Sequence, residues 1–219
     1  MLALDALSTS QGPRAPIFIG RRQELWQAVE ALRKGQNLAI TGSAGVGKSS
    51  FMRQVADLAR SSFELVVAIE VLDLARLRGD QAVVAILSTV IRRFSPDARI
   101  PEEISSLTAV YRTILDHRRA LILIDDVPSD LPVRALQPPR GSALVLTSRG
   151  VIRDADFFAL RLDHLSRYDA SELLTHLAPN LTVAEVERLA SLSEGSPLAI
   201  QLLGDAISRG GMTPVEFER

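Results

Sequence analysis

The spacing of apolar residues along this chain alternates between two patterns, and this alternation predicts the fold. Short, almost uninterrupted apolar runs indicate five buried strands, at residues 37–41, 63–71, 120–125, 142–148 and 157–162. Between the runs, apolar residues recur at every third or fourth position, which predicts helices over residues 21–34, 48–60, 81–94 and 102–117. In the second of these helices, Phe51, Val55 and Leu58 are predicted to form one apolar stripe. Strands that are apolar on both faces and alternate with helices indicate a mostly parallel sheet, covered by helices on both sides.

The helical spacing continues without strands after residue 165. Helices are predicted over 169–177, from Thr182 onward, and over 198–207, and Glu185 completes a capping box with Thr182. The first fifteen residues are rich in serine, glycine and proline without periodicity, so we expect a tail or linker. The predicted organisation is a tail (1–15), an α/β domain (16–164) and a small all-helical subdomain (165–219).

Composition excludes several classes of protein. With 25 basic and 26 acidic residues the formal net charge is −1, so the overall charge favours neither a nucleic-acid partner nor an anionic membrane. The absence of cysteine excludes disulfides and thiolate metal sites, and His117, His164 and His176 lack the spacing of metal ligands. No apolar run approaches the roughly 20 residues of a membrane span, and the N-terminus lacks the basic region of a signal peptide. We therefore expect a cytoplasmic protein with no membrane partner.

Residues 42–49 match the phosphate-loop consensus G-x-x-x-x-G-K-S/T at every fixed position, between a predicted strand and a predicted helix. Glycines permit the turns that point backbone N–H groups at an anion, and the following helix adds the positive end of its dipole. Lys48 can reach the β- and γ-phosphates, and the Ser49 hydroxyl can bind Mg²⁺. The predicted nucleotide-binding residues of this segment are Gly42, Ala44, Gly45, Val46, Gly47, Lys48, Ser49 and Ser50.

Two acidic residues, Asp125 and Asp126, directly follow the apolar run 121–124. Open α/β sheets bind ligands at the carboxyl ends of their strands, so we expect Asp125 to bind Mg²⁺ as a Walker B aspartate does. Asp126 is a candidate for activating the attacking water, or it caps the strand and begins a turn. Arg149 ends the next strand and contacts the γ-phosphate, or is a solvated loop charge. The candidate catalytic residues are Lys48, Asp126 and Arg149.

Four further segments occur in a fixed order around these motifs. They are Phe18-Ile19-Gly20-Arg21 before the first helix, the aspartate pair, Thr147-Ser148-Arg149 and Gly195-Ser196-Pro197-Leu198. In this order the set resembles the NB-ARC branch of the STAND nucleotide switches, over roughly residues 16–210. The resemblance implies a three-layer α/β/α P-loop NTPase fold with a five-stranded, mostly parallel sheet, followed by a helical ARC subdomain.

The same resemblance implies how ATP or ADP is bound together with Mg²⁺. It implies that Phe18, Ile19 and Arg21 lie along the base, that Arg149 is the sensor arginine, and that Pro197 packs on the adenine. A proline at this point is also explained by its preference for a helix start. The guanine-reading motif N/T-K-x-D is absent after the fourth predicted strand, which favours adenine.

The chain departs from the family pattern at three motif positions. Ser196 replaces a leucine, Ser148 a threonine and Pro128 a tryptophan. No winged-helix, effector or repeat-sensor domain is recognised, so we expect an excised module or a minimal member. The predicted function is a signalling switch with slow, Mg²⁺-dependent ATP hydrolysis, which binds protein partners or self-associates through its nucleotide-binding domain. An actively cycling ATPase of the AAA or initiator type and a non-hydrolysing interaction scaffold remain as alternatives.

Overall fold

The computed structural model describes residues 18–71, 73–152, 154 and 156–209. The predicted N-terminal tail (1–15) and the end of the predicted helical subdomain (210–219) lie outside these residues. Among the described residues, no helix has both the length and the apolar character that crossing a membrane requires.

The five predicted strands form one sheet, and every neighbouring pair in it is parallel. The strands are β1 (Asn37–Thr41), β2 (Leu65–Ile69), β3 (Ala120–Val127), β4 (Ala143–Ser148) and β5 (Phe157–Arg161). Their order across the sheet is β2-β3-β4-β1-β5. The carboxyl ends of β3, β4 and β1 therefore lie side by side, and the motifs that follow these strands meet at one edge.

Four helices cover the two faces of the sheet. They are α1 (Arg22–Arg33), α2 (Lys48–Ala59), α3 (Gly79–Phe94) and α4 (Ile104–Leu115). Successive strand residues point to opposite faces, so Leu38 and Ile40 of β1 pack in the core under α1 and α2, whereas Ala39 packs under α3 and α4. The predicted three-layer α/β/α arrangement is confirmed.

Three helices follow the sheet and have a small core of their own. They are α5 (Arg167–Leu177), α6 (Val183–Leu192) and α7 (Pro197–Ser208). Leu174, Leu189 and Ile200 are almost completely buried between them. The predicted capping box of α6 is present, because the Thr182 and Glu185 side chains each accept from the other residue's backbone N–H.

Two details of the predicted elements are wrong. Leu58 does not continue the buried stripe of α2, since 49% of it is exposed. The stripe runs instead through Phe51, Met52, Val55, Ala56 and Ala59, and at 100° per residue Leu58 lies roughly 90° from its centre. Strand β3 also extends beyond the predicted end at Asp125, to Val127, across a register shift between Ile124 and Val127.

Candidate nucleotide-binding site

A cavity of about 380 Å³ lies between the carboxyl edge of the sheet and the start of α7. Most of the predicted site residues border this cavity: Phe18, Ile19, Arg21, Ala44, Gly45, Val46, Gly47, Lys48, Ser49, Ser50, Asp125, Asp126, Arg149 and Pro197. The structure thus brings together residues from five separate parts of the sequence. Gly42 is not among the residues that border the cavity, although its carbonyl oxygen contacts a residue that does.

The phosphate loop connects β1 to α2 through backbone conformations that favour glycine. Gly47 has φ 93° directly before the first residue of α2, and Gly42 has φ 151° directly after β1. A side chain at Gly42 would also overlap the Leu162 carbonyl oxygen, which lies against the loop. Because α2 begins at Lys48, the free N–H groups of its first turn and its dipole lie at the loop. This is the local structure of an anion-binding site.

The side chain of Lys48 lies within the loop and is 9% exposed. Its ammonium donates to the carbonyl oxygens of Gly42, at 2.9 Å, and Ser43, at 2.8 Å. An ammonium has three donors, so one remains for a phosphate. Burial lowers the pKa of Lys48, and the charges of Asp126 and Asp125 oppose this shift. Lys48 therefore holds the loop compact and supplies a positive charge beside it.

The aspartate pair is fixed by residues at the end of β4. The Thr147 hydroxyl donates to Oδ1 of Asp125 and accepts from the Asp126 backbone N–H, at 2.8 Å. The Asp126 carboxylate accepts two hydrogen bonds from Arg149, from Nε at 3.1 Å and from Nη2 at 3.0 Å. The two predicted catalytic residues of this edge are therefore ion-paired with each other. The pair is solvent-accessible, with side-chain exposures of 38% and 68%, so it contributes little to stability.

Arg21 borders the cavity, but its guanidinium contacts backbone. Nη2 donates to the carbonyl oxygens of Val46, at 2.9 Å, and Asp163, at 2.7 Å. Burial lowers its pKa, and the charges of Glu24, Asp169 and Asp163 oppose that shift. The side chain thus joins the phosphate loop to the segment between β5 and α5. Sequence patterns do not reveal this role, because both partners are main-chain carbonyls far away in the sequence.

The start of α7 packs directly on the phosphate loop. The Leu198 N–H donates to the Gly45 carbonyl oxygen at 3.3 Å, and the Leu198 side chain lies against Gly45. Pro197 lies against Gly47, so that a Cβ placed on this glycine would be 3.7 Å from the proline Cγ. Leu198 and Gln201, one turn apart on α7, also border the cavity. Neither is among the site residues predicted from the sequence. Leu198 belongs to the same motif as Pro197, but nothing in the sequence shows that it contacts the phosphate loop.

The residues at the cavity fit a magnesium ion that is shared with phosphates. Mg²⁺ in nucleotide sites keeps several waters and takes only one or two protein carboxylates or hydroxyls. Ser49 and Asp125 both border the cavity, and one Asp125 oxygen accepts from Thr147, which leaves the other for a metal. In the described parts of the chain, no group of three or more histidine, cysteine or acidic side chains is arranged to hold a metal by itself. A metal at this edge would depend on the nucleotide for ligands.

Sequence comparison matches residues 21–176 to the family model described as the NB-ARC domain. The chain is also similar to the regulatory protein AfsR of Streptomyces coelicolor, with 30% identity over 184 residues. The corresponding figures for AfsR of Streptomyces griseus are 32% and 185 residues. Each match covers 78% of this chain and 18% of the relative, so the chain spans less than a fifth of the length of these curated proteins.

Solved structures share the fold. A signal transduction ATPase with numerous domains (STAND) and a tetratricopeptide repeat sensor, from Pyrococcus horikoshii, matches with TM-score 0.53 and 20% identity, over 86% of this chain and 30% of that one. The Aeropyrum pernix ORC1 protein, solved in complex with DNA, matches with TM-score 0.59 and 14% identity. This match covers 91% of this chain and 63% of the ORC1 chain. A RuvB variant of Thermotoga maritima matches with TM-score 0.56 and 16% identity, and this match covers 88% of this chain and 64% of the RuvB chain. At these identities the likeness concerns the P-loop NTPase fold alone.

Proposed function

Because the chain belongs to the NB-ARC family and thus contains a nucleotide-binding NTPase module, we propose that it is an ATP/ADP-controlled signalling switch with slow, Mg²⁺-dependent hydrolysis. In this proposal residues 16–164 bind the nucleotide, and the helical subdomain, residues 165–219, closes over it. A switch requires a ligand that contacts two parts of the protein differently in its two states. The structure offers both parts at one cavity.

The observation that carries the proposal is the packing of α7 on the phosphate loop. Leu198 and Pro197 contact Gly45 and Gly47, and all four residues border the same cavity. A nucleotide held by the loop would therefore also touch the helical subdomain. Gain or loss of the γ-phosphate would then change how well the two parts fit together, which is the coupling that a switch needs.

We assign the following roles to single residues from the family resemblance, and their places at the cavity support them. Lys48 and the loop N–H groups bind the phosphates, and Ser49 and Asp125 hold Mg²⁺, which supplies charge neutralisation between the phosphates. Phe18, Ile19 and Arg21 line the base side of the cavity, and Pro197 closes it from the helical subdomain. Arg149 is the γ-phosphate sensor, and Asp126 orients the attacking water.

The ion pair between Asp126 and Arg149 gives a physical reason for slow hydrolysis. The Asp126 carboxylate already accepts two hydrogen bonds from Arg149, so fewer of its lone pairs are free to take a proton from water. When Arg149 turns to a γ-phosphate, it releases this carboxylate. Catalysis thus has to wait until Arg149 breaks this ion pair, so sensing precedes hydrolysis and turnover is slow.

Turnover and nucleotide content distinguish the switch from its two alternatives. The purified protein is denatured, the released nucleotide is identified by chromatography, and phosphate release is measured with ATP and Mg²⁺. We expect bound adenine nucleotide and a turnover below about one per minute, far under the typical enzyme range. A rate well above this would indicate an actively cycling ATPase, and tight ADP with no hydrolysis would indicate a scaffold.

A matched pair of leucine variants on α7 tests the closing role of the helical subdomain. Leu198 borders the cavity and contacts Gly45, whereas Leu202, one turn on, is 63% exposed and is not among the residues lining the cavity. Leu198→Ala removes about 1 kcal/mol of apolar contact, so we expect ADP to leave roughly fivefold faster in a fluorescent-nucleotide chase. Leu202→Ala should leave the rate unchanged. Equal rates in both variants would contradict the proposed closure.

The signalling part of the proposal is supported by the relatives, which are regulatory proteins. We propose that the chain acts in the cytoplasm and that its nucleotide state controls binding to a protein partner or to a second copy of itself through the nucleotide-binding domain. Sedimentation velocity with ADP and with a non-hydrolysable ATP analogue tests the second possibility. A nucleotide-dependent change of mass is expected for self-association.

A further inference from the structure

Two hydroxyl groups at the end of β4 face the irregular end of β3. The ladder between these strands is regular up to Ile124 and shifts register before Val127. Asp125 and Asp126 occupy this shift, where regular strand pairing is lost, and Asp126 has the left-handed φ of 53°. Backbone groups in such a bulge need other partners. Thr147 and Ser148 provide these partners, and both are completely buried.

The two hydroxyls differ in the groups to which they are hydrogen-bonded. Ser148 donates to the Val127 carbonyl oxygen at 2.8 Å and accepts from the Gly150 N–H at 3.3 Å, so both of these bonds are to backbone. Thr147 accepts from the Asp126 N–H and donates its proton to the carboxylate of Asp125. A hydroxyl has a single proton to donate, and Thr147 uses it on this one acid. Of the two hydroxyls, Thr147 therefore joins the bulge to a carboxylate at the cavity.

We propose that Thr147 is a positioning residue for the magnesium site, which rests on the function proposed above. Rotation of an aspartate carboxylate about its last torsion is broad in the absence of a partner. By occupying Oδ1 of Asp125, the Thr147 hydroxyl fixes the carboxylate plane and leaves Oδ2 as the metal ligand. By accepting from the Asp126 N–H, the same oxygen holds the turn that carries Asp126 to Arg149. One buried hydroxyl thus sets the geometry of both acids without touching the nucleotide.

Three variants separate positioning from support of the fold. Thr147→Val keeps the shape and removes the hydroxyl, Thr147→Ser keeps the hydroxyl, and Ser148→Ala removes the neighbouring hydroxyl that contacts backbone. Nucleotide affinity is measured for each with Mg²⁺ and with a chelator, and the ratio of the two affinities is the readout. Loss of groups that orient metal ligands typically costs 10- to 100-fold in metal affinity. In Thr147→Val we expect the ratio of affinity with Mg²⁺ to affinity with a chelator to fall by this factor. In Thr147→Ser and Ser148→Ala the ratio should stay within about threefold of that of the unchanged chain.

A second readout needs no nucleotide. Amide hydrogen exchange at Asp126 reports its bond to the Thr147 oxygen, and we expect exchange at least about tenfold faster in Thr147→Val, with near-normal protection in Thr147→Ser. The proposal would be overturned if the magnesium ratio of Thr147→Val stayed within about threefold of the unchanged chain, as in the controls, or if Ser148→Ala lost as much. Failure of the unchanged chain to bind adenine nucleotide would instead overturn the proposed function. The two failures are therefore distinguishable.

Discussion

The sheet domain and the helical subdomain have hydrophobic cores of very different size. Each face of the sheet has an extensive core, whereas the core between α5, α6 and α7 contains seven buried apolar residues in the described part of the chain. The helical subdomain also exposes large apolar side chains, among them Tyr168 at 77% and Val183 at 76%. A domain with a small core depends on its neighbour for stability. We infer that the sheet domain with its phosphate loop is the more rigid region, whereas the helical subdomain is held to it by fewer contacts.

The attachment consists of a few specific contacts. Besides the packing of Leu198 on the loop, the His164 ring contacts the Glu194 carbonyl oxygen at the boundary between the two regions. Asp169 of α5 lies against Gly20, where a Cβ would overlap the carboxyl group. A few small contacts of this kind can break and re-form at a low cost in free energy, which the proposed switch would need.

The strongest loss is expected on the rigid side, at the phosphate loop. Lys48→Ala removes charged hydrogen bonds to the phosphates and should weaken ATP binding roughly a thousandfold, about 4 kcal/mol, as measured by calorimetry. The control is Lys34→Ala, at the chain's other lysine, which is exposed and pairs with Glu30 on α1. ATP affinity that is unchanged in Lys48→Ala, with the fold intact, would end the phosphate-loop interpretation.

A smaller effect is expected at the junction between the two regions. Gly195 has φ 72°, and a side chain there would overlap the Leu165 carbonyl oxygen. Gly35 has nearly the same φ, 75°, but a Cβ there meets nothing within 4 Å. We expect Gly35→Ala to cost about 1 kcal/mol of unfolding free energy and Gly195→Ala about 2–3 kcal/mol, measured by urea denaturation.

The same two glycine variants also test how lightly the helical subdomain is attached. If the overlap detaches this subdomain, ADP release should accelerate in Gly195→Ala but not in Gly35→Ala. Equal costs in the two variants would show that the junction yields easily and that the left-handed backbone alone matters.

The weakest effect is expected at the capping box of α6. Hydrogen bonds from the Thr182 hydroxyl, at 2.6 Å, and backbone N–H, at 2.8 Å, lower the pKa of Glu185. A carboxyl whose pKa is lower in the folded state contributes stability above its unfolded pKa, near 4.5, and loses it as pH falls through the folded pKa. Because Glu185 lies at the surface, we expect only local opening of the first turn of α6 in acid.

Amide exchange in that turn, compared with Glu185→Gln, isolates this small effect, since the amide of glutamine does not titrate. The protection of the unchanged helix should decrease below about pH 4.5 more than that of the variant. The same acid dependence in both would mean that the cap is not the group that titrates.

Much of the fold could be predicted because its signals are local. The apolar runs and the helical spacing give the strands and helices within a few residues, and the loop sequence alone indicates a phosphate site. The end of β3 could not be predicted, since its last residues, Asp126 and Val127, are held by bonds to Thr147 and Ser148 from another strand. Leu58 fits one stripe of α2 by spacing, but the sheet contacts a different stripe.

In the candidate site, too, some residues could be predicted from the sequence and others could not. Side chains that lie in motifs, such as Asp125, Arg149 and Pro197, could be found from sequence, and the structure places them at one cavity. Leu198 could not, because its contact with Gly45 depends on where α7 begins in space. The bond of Arg21 to Val46 and Asp163 is equally invisible in sequence patterns.

The strand order has a consequence for how the chain acquires this site. Strand β1 ends at the phosphate loop, yet its hydrogen-bonded neighbours are β4 and β5, and Leu38 pairs with Val145. During synthesis β1 must therefore wait for about a hundred further residues before it can enter the sheet, and pairings of such separation form slowly. The segment that carries the most recognisable motif is translated early and folds late. Until β4 has emerged, β1 lacks its hydrogen-bonded neighbours in the sheet, while α1 and α2 are there to cover one of its faces.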